Sequence, residues 1–174
     1  MTALHFVDAN VLVYWRDASE PGKQSIAAQL LNRLWREQSG RISVQVLNEY
    51  FVTVTRKSRV KLDPAVAWND VSTLLYWDPQ PLNGPLLIRG REVQLQHRMS
   101  WWDSLVVAAA QLQGCSVLWT EDLQHGAQLG AVQVQNPFLP RIEDSPRPGG
   151  VELPRRRPHP SRGRPRRSGA EAIA

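Results

Sequence analysis

The stretch LHFVDANVLVY, residues 4–14, limits the possible folds of this chain more than any other. Leu4, Phe6 and Val7 form a short apolar run suited to a buried strand, which breaks at Asp8, Ala9 and Asn10 before an apolar helical pattern resumes. A carboxylate therefore stands where a strand ends. In open α/β sheets the crevice beyond the carboxyl ends of the strands is where ligands bind, so an acid delivered there is a site candidate. Asp8 or Asn10 acting only as a helix cap explains the same letters. Taken alone, the pair decides nothing.

The remaining chain alternates short strands with longer helices. Residues 10–16 read as a short helix, and Pro21-Gly22 precedes a second one over 23–38, closed by Gly40. Residues 41–43 form a brief strand. A helix over 44–57 follows, with Val46, Leu47, Tyr50, Phe51 and Val54 on its apolar arc. Asp63-Pro64 supplies a cap and a first-turn proline for a helix reaching Tyr76. A third short strand is expected within 77–82, a stretch interrupted by prolines. Two further helices are expected over 86–98 and 101–113. Residues 116–120 form a strand apolar at its centre, as burial on both faces of a parallel sheet requires, and 131–135 offer a last, weaker one. Strands joined through helices imply a parallel sheet flanked by helices.

The chain of 174 residues is long enough for one domain with a real core. Its net charge of +5 is unevenly spread: residues 1–144 carry 13 Lys+Arg against 14 Asp+Glu, whereas 145–174 carry 8 against 2. That last segment holds six of the thirteen prolines and almost no large apolar residue, so it is expected to be a disordered Arg/Pro-rich tail beyond a domain spanning 1–144. The single cysteine, Cys115, excludes an intramolecular disulfide and a cysteine-built zinc site. Residues 1–15 do not read as a secretory signal, and no apolar run is long enough to span a membrane, so a cytoplasmic protein is expected.

Four acids fall at strand or helix ends: Asp8, Glu49, Asp103 and Asp122. The pieces carrying them are FVDANVLVY, NEY, WWDSLVVAAA and LWTEDLQHG. In that order and at those separations, over about Leu4 to Pro137, they resemble the PIN-domain ribonucleases of the VapC toxin type. The resemblance implies a PIN-like three-layer α/β sandwich with a short, mostly parallel sheet. It further implies a metal-dependent endoribonuclease, the toxin of a toxin–antitoxin pair. Asp8, Glu49, Asp103 and Asp122 would hold one or two Mg²⁺ ions, or Mn²⁺ in their place, and a metal-activated water would hydrolyse RNA. Asn10 and Thr120 would orient these groups, and Glu121 would be a minor ligand. A cognate antitoxin that blocks the cleft and a homodimer are the partners implied.

The chemistry suits the residues. Phosphodiester hydrolysis needs an activated water and stabilisation of charge on phosphate, and a divalent ion supplies both. Magnesium is held by few carboxylates and takes phosphate oxygens as further ligands. One pair of carboxylates ~5 Å apart at an effective dielectric of ~20 costs about 3 kcal/mol, so an acidic cluster calls for a cation or for protons.

Each acid has a structural rival. Asp103 follows Ser100 in near-capping-box spacing, Glu49 lies on the margin of an apolar arc, and Asp122 competes with Glu121. Trp101 and Trp102 are expected to pack in the core rather than stack on a base. His5, His97, Arg98 and His125 all have ordinary structural explanations. A haloacid-dehalogenase phosphatase would need an aspartate where Asn10 stands, and a receiver domain would need a late lysine, whereas none follows Lys61. A catalytically silent PIN-like binding partner is the remaining alternative.

The basic tail has two readings, an RNA-holding arm or passenger sequence from an extended reading frame. Deletion of residues 145–174 separates them. The expected result is unchanged RNA affinity with an unchanged salt slope, whereas a holding arm would flatten that slope on removal.

Overall fold

The computed structural model describes residues 3–59 and 61–140. It has strands β1 (His5–Val7), β2 (Gly40–Arg41), β3 (Val117–Trp119), β4 (Gln128–Leu129) and β5 (Val132–Gln135), and helices α1 (Ala9–Arg16), α2 (Pro21–Arg36), α3 (Val44–Val52), α4 (Pro64–Leu74), α5 (Gly84–His97) and α6 (Trp101–Leu112). One compact unit ends at Leu139. The expected tail over 145–174, and its boundary at residue 144, lie outside the described residues. No described helix is long and apolar enough to cross a membrane.

The five strands form one sheet in the order β2-β1-β3-β5-β4. β1 lies parallel to both β2 and β3, and β3 parallel to β5; only β4 runs antiparallel, to β5. The chain leaves β1 for β2 on one side and later returns to place β3 on the other, so the topological switch point falls at β1/β3. A ligand crevice belongs at the carboxyl ends of those two strands. Their register aligns Val7 with Trp119, so the next residue on each strand, Asp8 and Thr120, emerges at that edge.

The six helices flank this sheet, as the mixed α/β reading required. α6 packs on β3 and β5, and its residues Ser104 to Ala110 are all buried. The run of small and β-branched side chains lets it lie close to the sheet. α5 crosses α6 at Gly90, where a Cβ would stand 2.7 Å from Leu105 Cδ2, so a larger residue there would force the buried Leu105 side chain to move. Gly40 in β2 is constrained in the same way, because a Cβ would stand 2.5 Å from the Trp77 ring.

The expected elements are present with small shifts in their ends, apart from three local differences. The strand sought within 77–82 is absent. A 3-10 turn over Leu75–Trp77 ends on Asp78 at φ 51, and only Gln80 then meets the sheet, as an isolated bridge to Ser43. Gln80 exchanges backbone bonds with Ile42 and Val44, but Pro79 and Pro81 on either side have no N–H to extend the ladder. The helix expected over 44–57 is α-helical to Val52 and continues as a wider π turn over Thr53–Lys57. Within that turn the Thr55 hydroxyl donates to the Phe51 carbonyl. β4 was not expected: it is two residues long, too short for a periodic signal, and turns back at Gly130, φ 64.

A buried ion pair ties three helices together. Asp70 of α4, 3% exposed, accepts from two guanidinium nitrogens of Arg16 in α1, Nε and Nη2, and, at 2.6 Å, from the hydroxyl of Tyr50 in α3. Burial, then the bond to Asp70, pushes the Tyr50 phenol far above its ordinary range, so it remains a donor. Removing the carboxylate strands a cation and a buried hydroxyl. The variant Asp70→Ala should lose about 3 kcal/mol in urea unfolding, the low end for a broken buried pair because Arg16 keeps contact with water.

Candidate active site

Asp8 follows the last residue of β1 and caps α1, its Oδ1 accepting the Ala9 amide at 2.7 Å. It is 8% exposed. Thr120, the first residue beyond β3 and fully buried, donates its hydroxyl to Asp8 Oδ2 at 2.7 Å. The same Thr120 oxygen accepts the backbone amide of Asp122 at 3.1 Å, which folds Asp122 back over the strand end. Parallel pairing and one threonine therefore bring together acids 114 residues apart in sequence.

Asn10 completes this group. Its Nδ2 donates to Thr120 Oγ1 and Asp122 Oδ2, both at 2.9 Å, and lies 3.3 Å from Asp8 Oδ2. All three neighbours are acceptors, which fixes the amide's orientation. Its other end, Oδ1, is buried without a donor among the described residues. An orphaned amide oxygen costs about 1–3 kcal/mol, and the carboxylates on the nitrogen side of this amide already accept bonds from Ala9, Thr120 and Asn10. Hard oxygen donors of this kind suit Mg²⁺ or Mn²⁺, not a soft metal.

The other acids are each engaged locally. Glu49, exposed on α3, accepts from Gln45 Nε2 at 2.9 Å. Asp103 accepts from the Ser100 hydroxyl at 2.6 Å while its amide donates back to Ser100 at 3.1 Å, the capping arrangement anticipated as its rival role. Glu121 is paired with Lys23 at 2.6 Å, and Lys23 also donates to the Tyr14 hydroxyl at 2.9 Å. Among the described residues, no three histidine, cysteine or carboxylate side chains converge closely enough to hold an ion between them. The structure thus joins Asp8, Asn10, Thr120 and Asp122 directly, with Glu49 near enough for its charge to act on Asp8. The Asp103 carboxylate has no described bond to that group.

The electrostatics of Asp8 follow from this setting. Burial, joined by the charges of Asp122 and Glu49, raises its carboxyl to about 6, against the opposing pull of the Thr120 and Ala9 bonds.

Two participants had little or no sequence signal. Gln45 stands four residues before Glu49 on one helix face, a spacing at which side chains meet, but glutamine is common on helices. Lys23 meets Glu121 across 98 residues, and no local pattern announces that pairing. Trp102 is a correction: it is 63% exposed, not packed in the core, whereas Trp101 is partly buried against it. Consecutive helix residues project about 100° apart, so Trp102 turns to solvent when Trp101 turns to the core.

Residues 5–127 match the PIN domain family. The chain is a PIN-domain protein. The PIN-domain fold is also that of the DNA-bound VapBC crystal structure from Salmonella typhimurium, at TM-score 0.56 and 12% identity, over 78% of this chain and 99% of that one. A second solved structure, VapC20 of Mycobacterium tuberculosis, described as a sarcin-ricin loop cleaving toxin, aligns at TM-score 0.48 and 20% identity, over 66% of this chain and 86% of that one. No curated protein matches this PIN domain by sequence.

The raised carboxyl of Asp8 makes the stability of the domain depend on pH. A carboxyl whose folded value lies above its unfolded value of 3.8 takes up protons on folding, so its contribution is full below about pH 4 and is lost as pH rises to about 6. In Asp8→Asn that loss is absent. With chelator present, the variant should gain on wild type by up to about 3 kcal/mol between pH 4 and 6. Paired denaturant titrations across that range measure the gap; a constant gap would place the Asp8 carboxyl at its ordinary value.

Proposed function

We propose that this PIN-domain protein is a divalent-metal-dependent endoribonuclease and the toxin half of a toxin–antitoxin pair. The observation that carries the reading is the Asp8–Asn10–Thr120–Asp122 group at the carboxyl ends of β1 and β3, in which one hydroxyl and one amide nitrogen hold two carboxylates together. A cation offsets the repulsion between those carboxylates.

Asp8 and Asp122 would hold the ion, with Glu49 and Asp103 as the acids flanking the cleft. When bound, a divalent ion neutralises these carboxylates and supplies charge stabilisation for the attacked phosphate. The residues of the chain do the rest. Thr120 fixes the rotamer of Asp8 by donating to it, and Asn10 holds Asp122 beside Thr120. Burial of Asp8 beneath the strand ends keeps its carboxylate from water, which strengthens its attraction for a cation. Glu121 is less suited to a ligand role, because Lys23 already neutralises it.

The partner reading draws on the Salmonella neighbour, whose structure is of a VapBC assembly. An antitoxin here would close the acidic cleft by placing a basic side chain between Asp8 and Asp122, in the position the cation takes. Its chemistry is that of a charge-assisted bond to a carboxylate.

The alternative is a catalytically silent PIN-like binding partner. It draws on the local engagement of Glu49, Asp103 and Glu121. Incubation of purified protein with structured and single-stranded RNAs separates the two. The expected result is cutting with Mg²⁺ or Mn²⁺, none with EDTA, and in Asp8→Asn a fall beyond the ~10–100-fold that loss of an outer partner brings. Absence of cutting by folded, antitoxin-free protein on all these RNAs favours the silent partner.

A further inference from the structure

Gln45 has hydrogen-bonding requirements the fold does not meet. It lies in the first turn of α3 and is 7% exposed. Its Nε2 donates to Glu49 Oε1 at 2.9 Å and to the backbone carbonyl of Trp102, in the first turn of α6, at 3.4 Å. Both partners are acceptors only, so the amide nitrogen must face them, and Gln45 Oε1 is left buried without a donor.

Stability alone does not account for that choice of residue. α3 is already capped by Ser43 and anchored in the core by Val46, Leu47 and Tyr50. An aliphatic side chain of similar volume at position 45 would fill the space without an orphaned oxygen. What the glutamine does, and an aliphatic residue cannot, is restrain Glu49. Glu49 is exposed, and among the described residues Gln45 is its sole side-chain partner. The same amide ties that acid to the turn of α6 that carries Asp103, although among the described residues the Asp103 carboxylate bonds only to Ser100.

We infer that Gln45 is a positioning residue: it holds the Glu49 carboxylate in one rotamer and sets the first turn of α6 against it, so that Glu49 and Asp103 face the cleft from fixed places. The inference rests on the metal-dependent nuclease reading above and extends it to a residue outside the acidic set. Released from Gln45, a surface glutamate samples many rotamers, and recruiting it to an ion then carries an ordering cost.

The test is Gln45→Leu, with Gln45→Met as an unbranched second variant. Three quantities are read: the thermal midpoint in chelator, Mn²⁺ affinity by calorimetry, and kcat and KM for RNA cleavage. The inference predicts a midpoint equal to or above wild type, because the orphaned oxygen is gone, together with Mn²⁺ affinity and kcat lowered ~10–100-fold and KM little changed. A residue that merely packs α3 against α6 gives the opposite pattern, a lower midpoint in both variants, and that result overturns the inference. Wild-type affinity and kcat in both variants overturn it as well. Wild-type protein that neither binds Mn²⁺ nor cuts RNA overturns the nuclease reading itself, and this is visible before any variant is compared.

Discussion

The parallel pairing of β1 with β3 is the constraint on which the candidate site depends. The strands are three residues each, yet their register sets Val7 beside Trp119, and the Asp8 amide continues the ladder by donating to the Trp119 carbonyl. Asp8 and Thr120 therefore leave the sheet at the same level. A slip of one residue would turn every side chain of β1 to the opposite face, so that Phe6 and Val7, each buried on its own face of the sheet, would exchange packing environments of different size. Burial of those two residues and of Leu118 thus fixes the position of a polar pair that does nothing for the core itself.

The polar layer on that edge is built at a cost in stability. Asp8 is buried beside two other acids, and two amides, Asn10 and Gln45, turn their nitrogens to carboxylates and leave their oxygens without donors. A domain selected for stability alone would place apolar groups there. The surrounding structure can carry the burden: α6 buries seven consecutive residues over the sheet, and the Arg16–Asp70–Tyr50 group locks α1, α3 and α4 together. Buried polar groups left partly unsatisfied mark places where function competes with folding.

Much of the fold is legible in the sequence, because its determinants are local and periodic. The cap at Ser43, the Asp63-Pro64 helix start, the apolar centre of β3 and the small-residue run of α6 all announce themselves within a few residues. The misses have equally local causes. Trp77 to Leu82 lies between two helices, where a strand was expected, but its prolines admit only one bridge, and β4 is too short to show a period. The site is less legible. The acids can be picked out at element ends, yet their partnerships cannot: Thr120 with Asp8, Lys23 with Glu121 and Gln45 with Trp102 depend on tertiary register. Capping and ligation also use the same letters, so the sequence leaves the role of Asp103 open, and the structure displays its capping role through Ser100.

The central claim is that the Asp8–Asp122 pair, held together by Asn10 and Thr120, is a divalent-cation site. Anomalous scattering from a crystal of the protein soaked in Mn²⁺ tests it most directly. The account predicts an anomalous peak in contact with Asp8 and Asp122, accompanied by movement of Glu49 or Asp103 towards it. A fully soaked crystal with no peak there, or with Mn²⁺ held only by acids elsewhere, would contradict it.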